Sequence, residues 1–266
     1  MFKKGLLFIM VLVTTFVLVS CGSSNVYEYI LDDSYEGFIT LGTSADYAPY
    51  EWPMSVDGKQ TIVGIDIEIA KEVAKALKKN LKVINKGFDF LLDDLQNGKV
   101  DFVLAGMTPN EDRAKVVDFS KVYYEAIQVI LIKESNLDKF TSIESLDVAT
   151  VKIGAQLGSI QQELAEEFTK SQKQFIQAVP DLVLRLNDGQ IDAVILEKPV
   201  ADGYLANTKG LAIANIAIGD PDGGSAVAVQ KGNAELLAVV NRVIDELIES
   251  GKMDQIVNEM ILKNEN

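Results

Sequence analysis

Hydrophobic and polar positions run along the chain in blocks that switch between a period of two and a period near four. Residues 38–42 (FITLG) read as a strand. Residues 65–80 place Ile67, Ala70, Ala74 and Leu77 at the spacing of an amphipathic helix. The next strand is predicted at 81–84, a short helix at 88–96 closed by Asn97-Gly98, and a buried strand at 100–105. Strands that alternate with helices at this pitch predict parallel sheets with helices on their faces.

The pattern then repeats itself. FLLDDLQNGKVDFVLAG (90–106) aligns with LVLRLNDGQIDAVILE (182–197): an amphipathic turn ends at Asn/Asp-Gly, and a buried strand follows. Any strand-after-helix unit uses a glycine cap, so the echo is moderately specific. It predicts two lobes with one similar strand each, and it sets Gly106 opposite Glu197, just past the two strand ends. Ligands bind outside those ends in open parallel sheets. The long extended run at 123–133 is suited to cross between lobes. A second crossing is predicted from 212–218 through the turn-rich GDPDGG into SAVAVQK, before a helix at 234–250. The predicted organisation is a first lobe at 38–126, a middle lobe at 129–216 and a return to the first lobe at 219–266.

The N-terminus belongs to neither lobe. A basic start (Lys3, Lys4), an apolar run from Leu6 to Val19 and then Leu18-Val19-Ser20-Cys21 predict a secretory signal over 1–20. The segment resembles a bacterial lipobox, in which the cysteine is lipidated. Cys21 is the only cysteine of the 266 residues, so no disulfide competes for it. Residues 21–37 are predicted to be a lipidated tether, small and polar with no sustained period.

Composition narrows the chemistry. The net charge is −14 without a basic stripe, which disfavours nucleic acid and anionic membrane faces. Histidine is absent, which removes the commonest general base and metal ligand. No phosphate-binding glycine loop, nucleophile elbow or calcium loop occurs. No catalytic residue, metal or cofactor is predicted.

One stretch, LAGMTPNEDR (104–113), ends a strand in small residues and a hydroxyl and then carries one of only three arginines. It reads either as a turn whose Arg113 pairs with Glu111 or Asp112 in solvent, or as an anion-binding corner.

Five segments carry a family resemblance that spans nearly the whole mature chain: GTSADYAPYEW (42–52), VGIDIEIAKEVAKAL (63–77), GFDFLLDDLQNGKVDFVLAGMTPNEDRAKVVDFSKVYY (87–124), IGAQLGSIQQE (153–163) and LNDGQIDAVILEKPVA (186–201). Together they resemble the extracellular solute-binding proteins of family 3, receptors for polar amino acids that serve ABC importers. The resemblance implies a periplasmic-binding-protein-like α/β fold, two lobes joined by two hinge strands and closing on ligand. It also implies an exported, membrane-anchored monomer that delivers a free L-amino acid to permease and ATPase subunits.

The resemblance also assigns residues. Arg113 would pair bidentately with the ligand carboxylate, for which a planar, permanently charged fork is suited. Thr108 would give a hydroxyl and an N–H, and Ala105-Gly106 backbone groups at close approach. The LGSIQQ segment, with Ser159, Ile160 and Gln161, would present the Ile160 N–H to the same carboxylate, and Glu197 would accept the ligand ammonium. Tyr47 and Phe88 would sandwich the ligand side chain, with Tyr50 and Trp52 nearby and Gln156 setting specificity. Asp46 and Glu51 have no assigned role. Receptors of this family for basic ligands often carry an acid where this chain has Ser44. The expected ligand is basic, arginine first, with glutamine or another polar amino acid behind. Two alternatives stand beside transport: a related enzyme such as a cyclic-acid dehydratase, and a sensor lipoprotein that delivers nothing.

Overall fold

The apolar stripe expected over 65–80 forms a helix of twelve residues, α1 (Ile65–Ala76), whose inward face includes Ile65, Ile69, Ala70 and Val73. The structure is a computed structural model and describes residues 25–125, 127–220 and 223–265. The signal and lipidation expected over 1–20 and at Cys21 lie outside those residues.

The chain opens with β1 (Val26–Tyr29), β2 (Phe38–Thr43) and a hairpin of β3 (Trp52–Val56) and β4 (Lys59–Val63). After α1 come β5 (Asn80–Asn85), α2 (Leu91–Gln96), β6 (Phe102–Val103), α3 (Glu111–Val116) and β7 (Val117–Glu125). A second group comprises β8 (Gln128–Lys133), α4 (Ile143–Leu146), β9 (Lys152–Gln156), α5 (Ile160–Glu166) and β10 (Gln172–Ile176). It ends with α6 (Val179–Asn187), β11 (Ala193–Glu197), α7 (Lys198–Asn207) and β12 (Leu211–Ile213). The chain then returns through β13 (Gly224–Gln230) to α8 (Ala234–Glu249) and α9 (Lys252–Asn264).

Two lobes result, each with its own sheet. The first runs in the order β1-β5-β2-β6-β13-β7 and the second β10-β9-β11-β8-β12. The chain passes between them after β7 and again before β13, where Gln128 and Ile218 bridge antiparallel. The extended run expected at 123–133 is therefore two strands in different sheets.

The sheets are mixed rather than parallel. Strands β2, β5 and β6 run parallel, as do β9, β10 and β11. The crossing strands β13 and β8 lie antiparallel to their neighbours. They enter straight from the other lobe without a crossover helix, and so arrive in the opposite direction.

Two further expectations change. Residues 26–29 of the expected tether pair with β5 as an edge strand. Tyr27 and Tyr29 pack on the core, and the Tyr29 hydroxyl donates to the Ile62 carbonyl at 2.6 Å. Four residues are too few to display a period in sequence. The strand expected over 100–105 keeps ladder pairing only at β6. Beyond it the Leu104 N–H still reaches the Gly42 carbonyl at 3.3 Å, and the Gly106 N–H turns instead to the Asp66 side chain.

The C-terminal helix links the lobes on another face. Although α9 packs on α1 and α8, its end abuts α7 of the second lobe, where Asn207 Nδ2 donates to the Asn264 carbonyl at 3.0 Å. Gly203 permits the approach, since a Cβ there would stand 2.3 Å from Asn264 Nδ2.

Candidate functional site

The loops that leave the C-terminal ends of β2, β5 and β6 in one lobe, and of β9 and β11 in the other, converge between the sheets. A small cleft there is lined by Tyr47, Phe88, Ala105, Gly106, Thr108, Arg113, Gln156, Ile160 and Gln161. Nine of the expected site residues thus share one cleft. Tyr50, Ser159 and Glu197 are buried immediately around it.

Arg113 is placed by α3, whose first turn is capped by the Asn110 side chain accepting the Arg113 N–H at 2.8 Å. The residue is 8% exposed and its guanidinium does not pair with Glu111 or Asp112 in solvent. Nη1 donates to the Thr108 carbonyl at 2.5 Å, and Nη2 reaches across to the Gly158 carbonyl of the second lobe at 3.0 Å. The group lies 5.4 Å from the centre of the Phe88 ring, a cation–π contact. Burial lowers its pKa, and Glu163 acts to raise it. None of these partners is a carboxylate hydrogen-bonded to the guanidinium.

Glu197 closes β11 from the other side with no exposure at all. Burial pushes its carboxyl up to about 7, although Tyr50, Gln128 and Thr108 lie near enough to draw it down. None of them meets hydrogen-bond geometry: both Glu197 oxygens, the Tyr50 hydroxyl and Thr108 Oγ1 are buried without a hydrogen-bond partner. A cluster of one carboxyl and two hydroxyls without partners is costly unless something fills their bonding capacity.

Tyr47 spans the two lobes. Its hydroxyl accepts the Glu197 N–H and a Gln161 Nε2 bond, each at 3.3 Å. Its ring stacks on Tyr50 with centroids 5.7 Å apart. Gly106 lies against it with φ of 53°, and a Cβ there would stand 3.0 Å from the Tyr47 ring. The two strand ends expected to face each other are thus bridged by one tyrosine.

Other groups were unmarked or unassigned in the sequence. Gln128, at the start of β8, accepts from Gln161 at 2.8 Å and borders Glu197. Asn110 donates across the cleft to Glu163 at 2.9 Å. Asp46, pushed by burial up to about 6, accepts from Ser44, Gln156 and the Val179 N–H. The Ser159 side chain is occupied as the cap of α5. Asp66 sits in the inward stripe of α1; a polar residue within an otherwise apolar stripe was the available signal.

Trp52 is not brought to the cleft. It lies on β3 and lines a separate surface cavity with Ala48, Pro53, Pro180 and Tyr204. It is half-buried against the first core and turned towards Pro180 and Tyr204 of the second lobe, which sequence proximity to Tyr50 concealed. Among the described residues, no group of three or more acidic, cysteine or histidine side chains is arranged to hold a metal ion, and no helix is long and apolar enough to cross a membrane.

Comparison with known proteins agrees with this geometry. The chain is 35% identical over 261 residues to the arginine-binding extracellular protein ArtP of Bacillus subtilis (strain 168), covering 96% of each. A crystal structure of the amino acid ABC transporter substrate-binding protein AbpA from Streptococcus pneumoniae Canada MDR_19A, bound to L-arginine, matches with a TM-score of 0.83 at 37% identity. That match covers 86% of this chain and 97% of the other. The ancestral amino acid-binding protein AncCDT-1, a precursor of cyclohexadienyl dehydratase, matches with a TM-score of 0.77 at 31% identity, covering 85% and 96%. Residues 39–263 match the bacterial extracellular solute-binding proteins, family 3, and the chain belongs to that family.

Proposed function

We propose that the chain is a lipid-anchored receptor that holds one free basic amino acid, arginine foremost, between its lobes and delivers it to an ABC importer. The observation that carries this reading is that Arg113 and Glu197 are both buried around the interlobe cleft with no ion pair between them. They are opposite charges from opposite lobes, both buried, and both carboxyl oxygens of Glu197 hydrogen-bond nothing. A zwitterion satisfies both, its carboxylate on Arg113 and its ammonium on Glu197, and neither lobe alone can hold it. Binding thereby favours the closed arrangement.

In this reading Thr108, Gly106 and the Ile160 N–H complete the carboxylate pocket, and Tyr50 and Thr108 hydroxyls support Glu197. Tyr47 and Phe88 flank the ligand side chain, with Ala105, Gln156, Ser159 and Gln161 around it. A cationic side chain is favoured by the sign of the surroundings. Asp46, half-buried and accepting from the cleft residue Gln156, is the carboxylate left to meet it. The names of the relatives point the same way. The first lobe is taken as 38–126 with 219–266 and the second as 129–216, with Cys21 as the acylated residue of an exported monomer. Binding without turnover is inferred, since a carboxylate engaged in an ammonium pair is not free to act as a general acid.

The test is a calorimetric and thermal-shift screen of the twenty amino acids on the chain from residue 22 onward. One-site binding of arginine, lysine, histidine or glutamine is expected, with stabilisation of about 2.7 kcal/mol at about 100 times the dissociation constant. Binding of no amino acid overturns the reading. Conversion of the ligand during incubation would favour the enzyme instead.

A further inference from the structure

Beside the cleft lie two wholly buried carboxyls that the ligand pairing does not use, one of them bonded to the Gly106 N–H. Glu51 ends the loop after β2, and Asp66 is the second residue of α1. Gly64 brings them together. It has φ of 143°, and a Cβ there would stand 1.9 Å from the Tyr50 carbonyl oxygen. The turn before α1 therefore lies directly on the Tyr50–Glu51 backbone, and the Asp66 N–H donates to that same carbonyl at 3.0 Å.

Asp66 is fully engaged. One oxygen accepts the Gly106 N–H at 2.8 Å and the other the Tyr123 hydroxyl at 2.7 Å. It thus ties the glycine of the cleft to β7, the strand that leads into the first crossing. Glu51 is the opposite: neither of its oxygens receives a hydrogen bond from any donor. The titratable groups facing it are the carboxyls of Asp66, Asp46 and Glu197 and the hydroxyls of Tyr47 and Tyr123. No lysine or arginine among the described residues forms an ion pair with either acid. Two adjacent buried carboxylates without a counter-ion are not sustainable, and one shared proton removes the conflict. Burial and the neighbouring Asp66 push Glu51 well above the usual range. Asp66, raised by burial but held down by Tyr123, Gly106 and Glu51, reaches only about 6.

We propose that Glu51 and Asp66 form a one-proton acid pair that positions Gly106 and β7 for ligand binding. Neutral Glu51 donates to anionic Asp66, and Asp66 holds the Gly106 N–H and the Tyr123 hydroxyl. Both are positioning residues, and the inference rests on the amino-acid-binding reading for its effect on affinity. Loss of the shared proton would set like charges against each other beneath Gly106 and shift the backbone that meets the ligand.

Glu51→Gln tests this, because the amide keeps the shape and donates to Asp66 without ionising. Infrared spectra at about pH 8.5, above the titration of Asp46, Asp66 and Glu197, should show a neutral carboxyl band in the native chain that the variant lacks. Arginine affinities should agree within about threefold at about pH 6. The variant's advantage, in affinity and in ligand-free unfolding midpoint, should grow as the pH is raised towards about 10. Asp66→Asn, which removes the anionic acceptor, should weaken arginine by about tenfold. An unchanged infrared band, or a difference between the two proteins that is constant across pH, overturns the pair. If neither protein binds any amino acid, the receptor reading falls while the band and midpoints still decide the pair. Should the variant not fold, disappearance of the native band at alkaline pH supports the proposal, and its absence throughout overturns it.

Discussion

The Asp46 carboxylate, in the first lobe, accepts the backbone N–H of Val179 at 3.0 Å, in the first turn of α6 in the second. The residue at the capping position of α6 is Ala178, whose side chain cannot accept. One lobe therefore caps a helix of the other, and it does so only while the two are together. Capping of this kind contributes about 1 kcal/mol. Asp46→Ala is expected to weaken arginine and glutamine alike, by about fivefold. Asp46→Asn keeps a capping oxygen and loses only the charge, so it should spare glutamine and weaken arginine. Titration calorimetry reads both, and identical behaviour of the two variants would refute the latch.

Arg113 should tolerate no replacement. Arg113→Ala leaves the ligand carboxylate buried without its partner, a loss of about 3–5 kcal/mol. Affinity for every amino acid should fall by more than about a hundredfold. Arg113→Lys should rescue only part of it, because an ammonium lacks the planar fork. Retained affinity in Arg113→Ala would show that the carboxylate sits elsewhere.

The buried acids make stability depend on pH. Burial raises Asp46 and Asp66 to about 6 and Glu197 to about 7. A carboxyl raised on folding stabilises fully below its unfolded pKa of about 4, and that contribution is lost as pH rises through the folded value. The ligand-free chain should therefore lose stability between about pH 4 and about pH 7. The loss per group is at most about 1.4 kcal/mol for each tenfold change that folding makes in its acid dissociation constant. The exposed pairs do not offset this: Lys231 holds Asp118 below its usual range, and the Lys170 N–H does the same for Asp147, so their contributions fade only under about pH 4. Arginine should stabilise more at about pH 8 than at about pH 5, because its ammonium meets an ionised Glu197. Scanning calorimetry with and without ligand measures the difference, and Glu197→Gln should flatten it. A ligand increment independent of pH would contradict the role given to Glu197.

Trp52 supplies a negative control. It borders Pro180 and Tyr204 of the second lobe rather than the cleft. Trp52→Ala should change affinity for arginine, lysine and glutamine by the same factor, within about twofold of one another. A changed order of preference would put the indole in contact with ligand.

Much of this was legible in the sequence because periodicity and cap chemistry are local. The stripe of α1, the Asn-Gly and Asp-Gly closures before β6 and β11, and the Ser159 cap of α5 all announce themselves within a few residues. The two strand ends could be paired across a cleft because their sequences echo each other. The hairpin β3–β4 and helix α9 leave no such local mark. The hairpin is largely exposed and its apolar and polar residues do not alternate, and α9 comes after α8 and Gly251 with its apolar positions spread among charges.

The site was half visible for a similar reason. Arg113 and Glu197 stand at strand or helix ends, where position alone suggests use. Asp66, Gln128 and Tyr123 act through partners 40, 33 and 57 residues away in the chain, and no local pattern carries such distances. Trp52 shows the reverse error: close to Tyr47 in sequence, it faces another surface.

The abutment of Asn264 on Gly203 bears on rates. Beside the two crossing strands, the end of α9 adds a tie between the lobes outside the cleft, and any opening that parts α7 from α9 breaks the Asn207–Asn264 bond. That bond is indifferent to what the cleft contains. Its loss in Asn207→Ala is therefore expected to shorten the residence time of every ligand by a common factor, changing how long cargo stays aboard without influencing which cargo is chosen.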